Sequence, residues 1–286
     1  MLRVLGVSAV SCFYDLFTAE SQRAQRIRRG EAELRSLPLN SLSTEPVILS
    51  IETSTRAGSV AIACGESILA SRSGDASSSH SQDLIENIDA VFKEAGVELP
   101  TIDLLAAAIG PGSFTGLRIG LATVKSLAVS LDRKCVAVST LAAVSHAAGV
   151  AERIVALLPA GRGEVFAQMF AVREDEVEPL DEPAHISPNA LMAKYGSYRQ
   201  VTWAGEGAHA QLELIRSEAG AKGIELKVGA HGPETNRWKV ASLNSELAGA
   251  VAKLANREWR EGNVIAPGEL RANYVRASDA EIKIHA

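Results

Sequence analysis

Cysteine is scarce: Cys12, Cys64 and Cys135 are the only three in 286 residues, an odd number with no CxxC or Cys/His spacing. That excludes a disulfide framework and suits buried thiols in a reducing compartment. Long apolar runs are also missing, since each is interrupted by polar or charged residues within about 18 positions, so no transmembrane helix is expected. Positive charge is short. The net charge is −5 with an isoelectric point near 5.8, which argues against an independent electrostatic grip on nucleic acid. Catalytic signatures are missing as well. Six histidines, at 80, 146, 185, 209, 231 and 285, show no metal-ligand spacing. No serine sits in a GxSxG elbow, and no carboxylate pair is marked out by its surroundings.

What is present is enough apolar material for a sizeable core, 47% of the chain, and enough length for one large domain or two lobes. Residues 1–45 stand apart. They hold six arginines against five acidic residues, so a chain with 29 basic and 34 acidic residues overall keeps a net charge of −6 beyond Glu45. Their first apolar run is broken by Gly6, Ser8 and Ser11, no small-x-small cleavage site follows cleanly, and the acids nearly balance the arginines. The segment therefore reads as a poorly ordered extension or a mis-assigned start rather than a targeting sequence.

From Val47 the pattern becomes regular. VILSIETS, SVAIAC and ILASRS read as three strands in a meander joined by tight turns. A helix is expected over 79–95, with Leu84, Ile85, Ile88, Val91, Phe92 and Ala95 on one buried stripe. A strand over 103–109, a helix from Ser113 or Thr115 to Leu131, a strand over 135–138 and a short helix complete the first unit. The remainder repeats the order: strands over 153–159, 164–172 and 176–180, a helix over 187–194, a strand over 200–204, a helix over 207–220, a strand over 224–228 and a closing helix over 243–260. A duplicated βββαβαβα unit predicts an α/β protein of two lobes, over 46–149 and 150–286, with a cleft between them.

Two loops are candidates for binding. Gly110-Pro-Gly112-Ser113-Phe-Thr115-Gly116 joins an apolar strand to a helix, where free N–H groups and the helix dipole favour an anion. It lacks the Lys-Ser/Thr of a P-loop and the spacing of the dinucleotide fingerprint, and glycines serve strand-to-helix turns in many folds that bind nothing. Glu52-Thr53-Ser54-Thr55 closes the first strand at a turn whose hydroxyls and amides could face a phosphate or simply cap it. Gly205 and Gly207 hold the matching position in the second unit and are expected to face the first loop across the cleft. The helix after GPGSFTG carries a buried seam, Leu117, Leu121, Val124, Ala128 and Leu131. Its other face, Ile119, Ala122, Thr123, Ser126, Val129 and Ser130, is small or mildly apolar, with only Arg118 and Lys125 at its edge. A surface helix normally places Glu and Lys there, so this face is expected to meet another helix, within the chain or on a partner.

Together, ILSIETSTRAGSVAI, the HSQDLI helix start and IGPGSFTGLRIGLATVKSLA resemble the bacterial TsaB family. The likeness is close over residues 47–149 and thins afterwards to RGEVFAQMF, AGEGA and NYVRASDAEIK. The resemblance implies a two-lobed actin/Hsp70/sugar-kinase-like (ASKHA) fold, a cytoplasmic protein, and a noncatalytic scaffold role. In that role the chain supports TsaD as threonylcarbamoyl passes from threonylcarbamoyl-AMP to the adenosine beside the anticodon of ANN-decoding tRNA. It implies pairing with a TsaD homologue, or with a second copy of itself, through the first two helices; the residues concerned would be His80, Asp83, Glu86, Asn87, Arg118, Ile119, Ala122, Thr123, Ser126 and Val129. A TsaE homologue would be a further partner, tRNA would be met only through the complex, and no membrane is involved. No cofactor is required in this chain: ATP or ADP would sit at the partner interface, and the metal would belong to TsaD, because Leu84 stands where an HxxxH pair would need its second histidine. Glu52 stands where the family is expected to carry Asp, and Leu158-Pro159-Ala160-Gly161-Arg162 where an Asp-Ala-Arg turn is common, so the Glu52–Gly207 constellation would be a vestigial nucleotide site. The competing readings are an independent ATP-binding phosphotransferase or ATPase of the same fold and, more remotely, a metalloprotease.

Overall fold

The computed structural model describes residues 45–75, 80–174, 176–229 and 237–275, with residues 80–82 described by backbone alone. Residues 1–44, the His80 side chain, His231, His285 and the end of the NYVRASDAEIK stretch lie outside the described residues.

Strands β1 (Val47–Glu52), β2 (Ser59–Cys64), β3 (Ser67–Ser73), β4 (Leu104–Ala108) and β5 (Lys134–Val138) form a sheet of order β3-β2-β1-β4-β5. The first three run as an antiparallel meander, and β1, β4 and β5 are parallel. Side chains alternate between two covered faces, which is why these strands read as near-continuous apolar runs. Leu49, Ile51, Leu105 and Ala107 belong to one core cluster; Ile48, Leu104, Ala106 and Ala108 belong to another.

Helices α1 (His80–Ala95) and α2 (Phe114–Leu131) cover the first face. The α2 seam is buried as its spacing predicts. On α1, Leu84 and Val91 are buried, but Ile85, expected on the same stripe, is 41% exposed, because it lies toward the edge of an apolar arc narrower than the pattern suggested. Contrary to the expectation from sequence, α2 is long and apolar enough by length and composition to cross a membrane. Its buried seam on the sheet gives it the standing of a core helix with an unusually apolar outer side.

The second sheet contains β6 (Ala151–Gly161), β7 (Glu164–Arg173), β8 (Glu176–Pro179), β9 (Ala184–Ile186), β10 (Val201–Ala204), β11 (Glu225–Val228) and β12 (Arg237–Val240). Its order is β11-β12-β10-β6-β7-β8, with β9 paired to β7. The repeat of the first sheet is clear in β8-β7-β6-β10, but the strand beside β10 is β12, with β11 outside it. The sequence pattern missed β12 because Arg237 and Lys239 alternate with the wholly buried Trp238 and Val240. Trp238 packs edge-on against Trp203 at 5.2 Å, and its indole N–H donates to the Tyr198 carbonyl. Helix α4 (Pro188–Tyr195) follows β9. The single helix expected over 207–220 is two, α5 (Glu206–Ala210) and α6 (Leu212–Ala221), divided at Gln211.

The remaining helices, α3 (Thr140–Ala148) and α7 (Leu247–Arg260), are exchanged between the sheets. Leu141 and Val144 of α3 pack with Ile154, Ala156 and Leu158 of β6. Ala250, Val251, Ala252 and Ala255 of α7 pack on Ile48, Ala63, Leu104 and Val136 of the first sheet. The first turn of α7 is pinned there: the Ser50 hydroxyl donates to the Ala248 carbonyl at 2.8 Å, and the Ala248 N–H donates to the Ser59 hydroxyl at 2.9 Å.

Candidate functional site

The Glu52–Thr55 turn folds back on its own carboxylate. Glu52 is wholly buried. Its Oε1 accepts the N–H of Ser54 at 2.5 Å, the Ser54 hydroxyl at 2.5 Å and the N–H of Thr55 at 2.8 Å, and its Oε2 accepts the Thr55 hydroxyl at 2.6 Å. Bonds to an ionised acceptor are the strong ones. The amides and hydroxyls that a phosphate would use are thus already bonded to an anion supplied by the chain.

The GPGSFTG loop closes onto this turn. The Ser113 N–H donates to the Ser54 carbonyl at 2.7 Å, and the Thr53 hydroxyl donates to the Gly116 carbonyl at 2.8 Å. The Ser113 side chain caps α2 by accepting the Gly116 N–H. Thr140, a residue the motif reading passed over, ties the pieces together. Its Oγ1 lies 2.9 Å from the Ser54 hydroxyl and accepts the Gly110 N–H at 3.1 Å. Only its place at the start of α3, beside the Ser139 cap, could have marked it out. The glycines are required by contact. A Cβ on Gly112 would fall 2.5 Å from the Ser54 carbonyl oxygen, and one on Gly120 would fall 2.1 Å from the Thr53 hydroxyl.

Gly205 and Gly207 pack against β6 in the same manner. At Gly205 (φ +89°) an added Cβ would meet the Leu157 carbonyl oxygen at 2.5 Å. Gly205 lines a cleft between the sheets with Thr55, Val144, Leu158, Glu206 and Leu247. Gly110 and Gly112 do not line it; they face Ser54 and the chain near Asn273, so the expected meeting of the two glycine loops does not occur. Across the cleft the Arg56 N–H donates to Glu206 Oε1 at 3.3 Å. As closed here the cleft has room for little more than one water molecule.

On the outer side of α2, Arg118, Ala122 and Ser126 are exposed, Ile119 and Thr123 are half-buried, and Val129 is 71% exposed. The Thr123 hydroxyl is turned back to the Ile119 carbonyl. The Arg118 guanidinium lies 3.7 Å from the Phe114 ring centroid. On α1, Glu86 is exposed and Asn87 half-buried, whereas Asp83 accepts the Asp75 N–H and so also holds the chain after β3. Both helices lie on one face of the sheet, so the two groups of expected contact residues share one side of the molecule.

Among the described residues no group of three or more His, Cys, Asp or Glu side chains is placed to hold a metal ion. His209 Nε2 lies 2.8 Å from the Ala241 carbonyl, and His185 Nε2 lies 2.7 Å from Glu164. Burial pushes the Cys135 thiol up to about 11, against a smaller downward pull from Lys125, which makes it a core thiol rather than a nucleophile. Burial, then Asp181, pushes the Tyr195 hydroxyl upward; it donates to Asp181 at 2.8 Å, and the same carboxylate also accepts the Met169 N–H.

A family model described as TsaD, tRNA N6-adenosine threonylcarbamoyltransferase, matches residues 72–267. Among curated proteins, the chain is 35% identical over 127 residues to the tRNA threonylcarbamoyladenosine biosynthesis protein TsaB of Haemophilus influenzae, covering 42% of this chain and 51% of that one. It is 25% identical over 207 residues to the Bacillus subtilis protein of the same name, covering 70% and 89%. The chain spans about half the length of the first curated relatives it matches. Of solved structures, YeaZ from Pseudomonas aeruginosa superposes with a TM-score of 0.65 at 27% identity, covering 80% of this chain and 99% of that one.

Proposed function

Because the chain belongs to the TsaB/YeaZ family, within the reach of the TsaD family model, and has an ASKHA-like α/β fold, we propose that it takes part in the synthesis of threonylcarbamoyladenosine in tRNA as a scaffold subunit. In this reading it holds a TsaD homologue through the outer side of α1 and α2. A TsaE homologue joins the assembly, tRNA is met through the complex in the cytoplasm, and any nucleotide or metal sits with the partner or at the shared interface. The observation that carries the reading is the outer side of α2: Ala122, Ser126 and Val129 stand exposed on an 18-residue helix without an acidic residue. Such a surface gains little from water and allows close backbone approach by another helix.

The meeting of the turn after Thr55 with the Gly205–Glu206 turn across the cleft favours a second reading, an ATP-dependent phosphotransferase. Against it, the Glu52 carboxylate would repel a phosphate from the amides it already bonds.

The test is capture of the TsaD homologue from the same organism by the purified full chain. A stable heterodimer at micromolar concentration is expected, and Ala122→Arg, which places a charge where the partner must pack, should abolish it. No pairing at that concentration overturns the proposal. ATP hydrolysis by the chain alone would move the reading to the phosphotransferase.

A further inference from the structure

After α7 the chain returns across the first sheet. Ile265 pairs with Cys135 at the free edge of β5, with both N–H···O bonds at 2.9 Å. A turn at Pro267–Glu269 follows, in which Glu269 accepts the Ala266 N–H. Leu270 is then wholly buried in the core beneath α1 and α2, and Ala272 packs against the same cluster. The Asn273 N–H donates to the Ile109 carbonyl at 2.7 Å, and the Asn273 carbonyl sits so close to Gly110 that a Cβ there would meet it at 2.8 Å. The Tyr274 ring lies 5.2 Å from Phe114, whose ring also carries Arg118. Val275 packs against the other core, the cluster of Val144, Leu158, Ala241 and Leu247 that also walls the cleft.

We infer that residues 270–275 form a strap that couples opening of the cleft to the position of the GPGSFTG loop and the first turn of α2. Leu270 and Ala272 are anchored to the first sheet, and Val275 to the cluster that α3 and α7 form with the second. Separating Arg56 from Glu206 therefore draws Val275 away with the second sheet. The few residues between the anchors hold no slack in reserve, because Asn273 and Tyr274 are already engaged. Movement of Val275 pulls Asn273 from Ile109 and Tyr274 from Phe114, which loosens the two ends of the loop that seats α2 while its bonds to Thr53, Ser54 and Thr140 remain. The relation is reciprocal by linkage: freeing the strap loosens the cleft as much as freeing the cleft loosens the strap. It needs no partner chain and goes beyond the proposed pairing role.

Two backbone N–H groups report the two ends: Asn273, bonded to Ile109, and Arg56, bonded to Glu206. Amide hydrogen exchange by NMR on the full chain tests the coupling. Glu206→Ala should raise exchange at Asn273 at least about tenfold, and Tyr274→Ala should do the same at Arg56, while the amides of β4 keep their rates. The variants touch partly exposed side chains; if β4 protection falls too, Glu206→Met and Tyr274→Leu are read instead. An unchanged rate at either reporter overturns the inference, since a one-way effect contradicts linkage.

Discussion

Helices α2 and α6 follow corresponding strands, β4 and β10, beyond a glycine turn, with the short α5 interposed before α6, yet they meet solvent in opposite ways. On α6 only Ile215 and Ala219 are buried, and the outside is laced by Arg216–Glu213 and by Glu218 with Lys222 just beyond its end. That is an ordinary solvated face. On α2, by contrast, eight of 18 residues are buried, and the outside offers alanine, serine and valine, with cations only at Arg118 and Lys125. The difference teaches that the repeat conserves the route of the chain while the two surfaces have separate uses. Water suffices for one; on the other, small and apolar side chains stand exposed, and the proposed pairing rests on them.

The comparison breaks most sharply at the glycines. Gly112→Ala and Gly205→Ala each push a Cβ to 2.5 Å from a carbonyl oxygen, and each should cost about 2–4 kcal/mol in denaturant unfolding. Both glycines also have positive φ, +158° at Gly112 and +89° at Gly205, so backbone strain adds to the clash at each. Equal stability of either variant and the parent would show that the loops are not held by contact. Next in size, Glu52→Gln leaves the turn with one acceptor oxygen where two served four donors, and should cost about 2–3 kcal/mol at neutral pH. Among the described residues the second half has no counterpart of this anchor, so under native conditions the local exchange rates of its loop should be unchanged. Ser126→Arg and Ser217→Arg compare the two outer faces directly. In the proposed assembly the first should weaken pairing by about 2 kcal/mol or more, measured by sedimentation, while the second leaves it unchanged. If both are silent, the contrast between the helices has no bearing on assembly. The smallest effect has the opposite sign. Nothing lies within 4 Å of an added Cβ on Gly220, and Gly220→Ala in α6 should raise stability by up to about 1 kcal/mol.

Much of this arrangement was legible in the sequence because both strand and helix periodicities were strong. Leu117, Leu121, Val124, Ala128 and Leu131 followed a spacing that only one helical face can satisfy, and the runs in β1 and β4 were apolar on both sides. Where charge interrupted the pattern the reading failed. Arg237 and Lys239 hid the strand whose Trp238 anchors the second core, and the break at Gln211 has no proline or glycine to announce it. The site was legible as a set of residues but not as a mechanism. Side-chain types in Glu52–Thr55 suited either a phosphate or a cap, and only the direction of the Glu52 carboxylate shows which groups it bonds. The exchange of α3 and α7 left no local signal at all, since either helix has an apolar side that would suit either sheet.

That exchange has a bearing on how the molecule is made. One side of the first sheet, with Ile48, Leu104 and Ala106, waits for a helix that begins about two hundred residues after the first strand starts. During synthesis this surface, apart from the part met by Ala143 of α3, stays uncovered until residues 247–260 have left the ribosome, and contacts so distant along the chain form slowly. A nascent chain stalled before Leu247 should therefore be held by chaperones or aggregate, however complete its early strands and helices are.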